Sequence, residues 1–254
     1  ASNYNVGIGN YSMDAALNGA SNNTALGHYT LSSLTEGDSN VALGYNAGGS
    51  LTTGGTNILI GRNAGSSGTD LAHSVIIGTY AGDAINTNNS QGSVIIGYQA
   101  GTSQTAGINT FIGYEAGRRN LSGTYNTTVG YEAGMNATGS SNTFIGYQSG
   151  KGATSAPYSS GEGNVAVGYA ALDAFTTGDN NVAIGKNALG GVTTANNNIG
   201  IGQGAGDIIT TGEANILIGA DAGGSITTDQ YVTIVGYASG QYMEAGNGNR
   251  YNSY

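Results

Sequence analysis

Cysteine and tryptophan are absent from this 254-residue chain, proline occurs once, and only 8% of the residues are charged. Without cysteine there is no disulfide framework and no thiolate metal site. Collagen is excluded as well, because it needs abundant proline and glycine at every third position. Six Lys and Arg against fifteen Asp and Glu leave a formal net charge of −9. Phosphate binding requires a basic surface, so nucleic acid is not an expected partner. An anionic membrane surface is disfavoured for the same reason. No apolar run approaches the length of a transmembrane helix or a signal-peptide core, so no membrane insertion is expected. A cysteine-free chain stabilised by pairing instead fits an extracellular setting, on a cell surface or a virion.

What the chain does contain is glycine, 47 residues of it, in a regular pattern. A signature of Asn, three strand-like residues and Gly recurs fourteen times, from Asn5-Val6-Gly7-Ile8-Gly9 to Val232-Thr233-Ile234-Val235-Gly236. Most closing glycines stand 17 residues apart, with spacings of 16, 18, 19 and once 22 among the rest. Self-similarity at a short period predicts a stack of one structural unit. Disorder, the other reading of a Gly/Asn/Ser/Thr-rich composition, gives no reason for aliphatic residues to keep register. The expected fold is all-β, a parallel β-solenoid of about fourteen coils over residues 1–240. Residues 241–254 form a non-repeat tail that caps the stack or docks onto a partner. At about 4.8 Å per coil the stack would be a rod of roughly 65 Å.

Each coil can be numbered from its closing glycine. The residue just before it is Ile, Leu or Val throughout, and two residues earlier stands Val, Ile or Thr. Alternation at period two with β-branched residues predicts a short strand with one buried face, and these two positions are assigned to that face. Three residues after the glycine only Ala, Ser or Thr occurs, which predicts close backbone approach. Asn opens eleven of the fourteen copies. Stacked at coil spacing, its amides are expected to form a hydrogen-bonded ladder. Apolar-Thr-Thr-Gly stretches such as Leu51–Gly54 are read as a possible second strand. Lys151–Tyr158, which holds the proline, is read as a loop bulging from one coil.

The middle strand residue then points outward. It carries Leu59, Ile76, Ile95, Phe111, Phe144, Leu217 and Ile234. An exposed stripe of this kind exceeds what a soluble monomer tolerates, so these residues are expected to form an oligomer interface, with copies of the chain closing around a symmetry axis.

Asn40-Val41-Ala42-Leu43-Gly44, Asn164-Val165-Ala166-Val167-Gly168 and Asn181-Val182-Ala183-Ile184-Gly185 resemble the head repeats of trimeric autotransporter adhesins, the YadA-like heads. They are equally similar to repeats of phage tail-fibre and bacterial surface proteins. The resemblance spans nearly the whole chain. It implies a left-handed β-roll, a homotrimer, and a structural or adhesive fibre that binds a host receptor or a cell-surface glycan. A self-assembling extracellular filament is the alternative. An ice-binding solenoid ranks last, resting on the recurring pairs Thr52-Thr53, Thr176-Thr177, Thr193-Thr194, Thr210-Thr211 and Thr227-Thr228.

Candidate chemistry is sparse. Tyr98, Tyr114, Tyr131 and Tyr147 each follow a closing glycine, so they would stack into an aromatic strip that binds a sugar ligand, packs at a subunit boundary or simply faces solvent. Glu115 and Glu132 occupy equivalent positions in adjacent coils. A bridging cation such as Ca2+ is conceivable, but two carboxylates are a thin site, and no metal or cofactor is assigned. His28 and His73 fall at different repeat positions, without an acid or nucleophile beside them. A triad or a zinc site is therefore unsupported, and no enzymatic activity is expected.

Overall fold

A computed structural model describes residues 2–85, 91–105 and 107–241, and the strand Asn252–Ser253. The chain divides into two units, Ala1–Asn126 and Thr127–Tyr254. In the first unit every signature is a strand: β1 Val6–Ile8, β2 Thr24–Leu26, β3 Val41–Leu43, β4 Ile58–Ile60, β5 Val75–Ile77, β6 Val94–Ile96 and β7 Thr110–Ile112. The second unit holds β8 Thr127–Val129, β9 Thr143–Ile145, β10 Val165–Val167, β11 Val182–Ile184, β12 Ile199–Ile201, β13 Ile216–Ile218, β14 Val232–Val235 and β15 Asn252–Ser253. Within each unit consecutive strands pair in parallel, and equivalent signature residues face each other (Ile58 with Val75, Ile199 with Ile216). This is a parallel β-solenoid, as the repeat predicts, and no helix occurs among the described residues. Of the tail, β15 pairs in parallel with β14; residues 242–251 and Tyr254 lie outside the described residues.

Each coil is closed by backbone conformations that side chains seldom choose. The closing glycines have φ between +127° and +142°, and a Cβ on Gly44 would stand 2.8 Å from the Gly61 carbonyl oxygen of the next coil. Both facts demand glycine. Two residues later the chain is left-handed whatever the side chain: Tyr29, Asn63, Glu115 and Ala170 all have positive φ. The coil geometry imposes this at about 1–2 kcal/mol for each residue that is not Gly or Asn. Ala at the third position, for example Ala64, points inward and is fully buried.

The direction of the strand corrects the sequence reading. The middle residues Leu59, Ile76, Ile95, Phe111, Phe144, Leu217 and Ile234 are all 0% exposed and form the interior of their own coils. They are core, not an oligomer interface. The positions assigned to the buried face point outward instead, as in β3 and β13, where both flanking residues are exposed. The reason is the parity set by asparagine. Asn40, two residues before the inward Ala42, is itself fully buried, so the strand's alternation leaves Val41 and Leu43 outside.

With so thin an interior, volume is exchanged between positions. The fourth residue after the closing glycine also points inward. Where the middle residue is large, this one is glycine: Phe111 with Gly117, Leu217 with Gly223. Where it is Leu172 or Leu189, the middle residue is Ala166 or Ala183. A Cβ on Gly117 would stand 2.7 Å from three atoms of the Phe111 ring. One coil has glycine at both places, and its Gly200 lies 2.7 Å, measured from a built Cβ, from Leu189 Cγ of the preceding coil.

The ladder of asparagines is present. Asn181 Nδ2 donates to Asn164 Oδ1 at 3.2 Å and to the Ala195 carbonyl at 2.8 Å, and its Oδ1 accepts from Asn198 N–H at 3.0 Å and Nδ2 at 3.2 Å. Both donors and both acceptor sites are therefore used. On the other side of the coil the Thr-Thr stretch is a bend, not a second strand. The N–H groups of Thr35 and Glu36 converge on one carbonyl, that of Thr52, where a strand would use successive acceptors. Thr176 Oγ1 donates to the Thr193 carbonyl at 3.0 Å, and Thr193 repeats the contact with Thr210. The loop after Lys151 exposes residues 154–157, then rejoins at Ser159, bridged to Ala137.

Two predictions follow from the packing. Leu189→Gly removes a buried leucine and should cost about 3 kcal/mol or more, and Gly200→Leu alone overpacks by about 1–3 kcal/mol. Together they reproduce the arrangement of Ala42, Gly48, Leu59 and Gly65. The double variant should therefore unfold in denaturant nearer to the parent than either single change, with a coupling of about 2 kcal/mol. Additive losses would refute the exchange. Asn181→Leu strands the donors of Asn198 and should lower stability by about 3 kcal/mol, since each unpaired buried group costs about 1–3. Asn181→Ser should be milder, because Ser74 already stands in the ladder with its N–H bonded to Asn57 Oδ1 at 3.0 Å.

Candidate functional site

Because the strand flanks face outward, each unit carries two columns on its sheet, one of Ile, Leu and Val and one of Val, Ile and Thr. Leu43 and Ile184, typical members, are 42% and 39% exposed. Among the described residues, no strand position in either unit carries a charged side chain.

Beside this face runs the column that follows the closing glycine, where the expected tyrosines stack. In the first unit Tyr98 and Tyr114 lie 5.3 Å apart, with ring planes at 15°. In the second, Tyr131, Tyr147 and Tyr169 form a parallel stack with centroids 5.2 and 5.1 Å apart and planes at 6°. Lys186 Nζ sits 5.8 Å from the centroid of Tyr169. Tyr147 thus has both ring faces covered by its neighbours, and Tyr169 has one covered by a ring and a cation near the other. What such a stack offers to solvent is ring edge and phenol oxygen, not the open face on which a sugar ring would lie. The phenol of Tyr114 is pushed upward by partial burial and by the Glu115 carboxylate. Sequence reasoning passed over the first unit's own cation contact, in which Arg62 stands 5.8 Å from the Tyr45 ring and 5.5 Å from the Tyr80 ring. The signal was there, since Tyr45 and Arg62 hold the same repeat position as Tyr98.

The two glutamates each have a cation of their own. Glu115 pairs with Arg118 at 3.0 Å, and Glu132 with Lys151 at 2.6 Å. Burial alone would raise Glu132, but hydrogen bonds from Lys151 and Gln148 outweigh it and hold the carboxyl below its ordinary value. His28 lies among rings, 4.1 Å from Tyr29 and 5.6 Å from Tyr45.

A second feature missed in the sequence lies in the second unit. Asp173, Asn187, Gly190, Gly191 and Asp207 line an open pocket of about 270 Å3. Burial raises Asp173; burial and then the charge of Asp221 raise Asp207. Asp173, Gly190 and Asp207 share one repeat position, so glycine leaves the gap between two carboxylates. No group of three or more His, Cys, Asp or Glu residues is placed to hold a metal ion among the described residues.

Compared with known proteins, the chain matches no family model, no curated protein and no solved structure.

The raised aspartates make a signed prediction. A carboxyl whose folded pKa lies above its unfolded value favours folding below that unfolded value, and the contribution is lost as pH rises through the folded pKa. Asp207→Asn should therefore raise the thermal midpoint at neutral pH, and the gain should vanish below the ordinary aspartate value of 3.8. Glu132→Gln should do the reverse, destabilising at neutral pH and becoming neutral in acid. Thermal melts across pH test both signs.

Proposed function

We propose that this chain is a structural and adhesive fibre protein of a cell surface or a phage tail, extracellular and non-enzymatic, working as a homotrimer or higher self-assembly. The observation that carries the reading is where the recurring polar groups go. The Asn amides, the hydroxyls of Thr52, Thr176, Thr193 and Thr210 and the coil backbones bond to neighbouring coils. The repeat is thus consumed in holding itself together, while the variable outward positions are left to meet a partner. A host receptor or cell-surface glycan is the proposed ligand, recognised by phenol edges along the tyrosine columns.

A self-assembling extracellular filament is the second reading, favoured by the aliphatic sheet face. Ice binding remains third. Thr177, Thr194, Thr211 and Thr228 are exposed in successive coils, but their partners Thr176, Thr193 and Thr210 already donate their hydroxyls to backbone carbonyls. This leaves a single file of free hydroxyls.

Glycan arrays and whole-cell binding with purified protein test the adhesive reading. Tyr114→Ala with Tyr131→Ala should abolish binding. Tyr147→Phe keeps the stack and removes one hydroxyl, so it should weaken binding by about fivefold, the worth of one hydrogen bond of about 1 kcal/mol. Spontaneous polymerisation without any binding would favour the filament, and thermal hysteresis in dilute solution would favour ice.

A further inference from the structure

We infer that the stacked tyrosines of neighbouring coils are a site of oxidative cross-linking, where a one-electron oxidant joins Tyr147 to Tyr131 or Tyr169, and Tyr98 to Tyr114, as dityrosine. The inference concerns the coils themselves and holds whether or not a ligand meets the tyrosine columns.

Three observations select these residues. The first is where an oxidising equivalent settles. Thiols and indoles give up an electron readily and quench phenoxyl radicals, and this chain sets no cysteine and no tryptophan against 17 tyrosines. Its three methionines are oxidised by a different route, oxygen transfer to the sulfoxide. Tyrosine is therefore the terminal one-electron donor of the protein.

The second is geometry. Tyr131, Tyr147 and Tyr169 stand 5.2 and 5.1 Å apart with ring planes at 6°, and Tyr98 and Tyr114 stand 5.3 Å apart at 15°. All five keep between 41% and 52% of their surface exposed, so an oxidant can reach them. Rotation about χ2, a soft torsion in tyrosine, turns two stacked rings edge to edge and sets an ortho carbon of one beside an ortho carbon of the next.

The third is a proton acceptor. The Tyr131 phenol hydrogen-bonds the Glu132 carboxylate, and the Tyr114 phenol hydrogen-bonds Glu115. A phenol loses its electron easily only if its proton leaves as well, because the bare radical cation is a strong acid. A carboxylate already bonded to the hydroxyl takes that proton in the same step. One member of each stack is thus primed for oxidation.

The step balances. Two phenols each give up one electron and one proton to become phenoxyl radicals. The radicals form one carbon–carbon bond between their ortho carbons, and the two hydrogens there move as protons to the oxygens, restoring both aromatic rings. With hydrogen peroxide as electron acceptor and a haem peroxidase passing its two equivalents on singly, two tyrosines and one peroxide give one dityrosine and two waters. Rings held in contact meet at an effective concentration far above that of the protein, so the link forms within one chain. A bond from coil to coil closes a loop and restricts the unfolded chain as a disulfide would, in a chain that has no cysteine to make one.

The test treats the full chain at micromolar concentration with a haem peroxidase and hydrogen peroxide, then digests it with trypsin and a glutamyl protease. Cleavage after Arg119, Glu132, Lys151, Glu162 and Lys186 puts Tyr131, Tyr147 and Tyr169 in three peptides, 120–132, 133–151 and 163–186. Mass spectrometry should find the middle peptide joined to either neighbour, at the summed mass less two hydrogens, in protein that shows dityrosine fluorescence and still runs as a single chain on a denaturing gel. Tyr147→Phe keeps a ring in the stack but no phenol, and should lose both joined pairs. Tyr125→Phe removes the other tyrosine of peptide 120–132, one that is 69% exposed, and should leave both pairs in place. In the parent alone, no dityrosine, dityrosine confined to covalent dimers, or in-chain links that avoid Tyr147 each overturn the inference. So does a folded Tyr147→Phe protein that keeps the joined pairs.

Discussion

One buried amide holds this fold to its pattern. In a coil of about 17 residues there is little interior, and a polar group placed there must be fully bonded or it destabilises the stack. The asparagine at the head of the strand meets that condition by bonding upward, downward and across: Asn40 to Asn23, to Asn57 and to the Gly54 carbonyl. It fixes the pitch, because the next amide must arrive within hydrogen-bond reach. It fixes the register, because the N–H after each corner also seeks the previous Oδ1. And it fixes which way the strand faces, since a residue two places on from a buried side chain is itself buried.

The remaining packing follows from that choice. With the middle residue turned inward, the interior must be filled by side chains whose combined size suits one coil. Leucine arrives from the strand at Leu59 and Leu217, and from the far side of the corner at Leu31, Leu172 and Leu189. Glycine or alanine then stands opposite. This accounts for an apparent irregularity of the repeat, the freedom of the middle residue to range from Gly7 and Gly200 to Phe111 and Phe144. The outward flanks vary less in size, with Ile, Leu or Val before the closing glycine and Val, Ile or Thr two residues earlier.

The candidate site was legible only where repeat position alone decides proximity. Tyr131, Tyr147 and Tyr169 had to stack once the coils were in register, and they do. That stacking removes the ring faces from use could not be read from spacing, because it depends on ring tilt. The salt bridges of Glu115 and Glu132 and the gap left by Gly190 between Asp173 and Asp207 depend on which side of a corner each side chain emerges. That corner is left-handed at residues such as Glu132 and Gln148, whose types give no hint of it.

The sequence by itself determined the strand positions, their parallel order and register, and the amide ladder, because all of these follow from translating one unit along its own repeat. It did not determine which face of the strand is inside. Alternation at period two defines two faces and is silent on their direction, and here both faces are apolar: Val41 and Leu43 on one, Ala42 on the other. Only closure of the coil decides between them. It has room for the side chain of the middle residue and the buried asparagine, and none for the two flanks. The tertiary structure therefore put Leu59 and Phe111 inside and left neighbours such as Ile58 and Thr110 on the outer side of the strand.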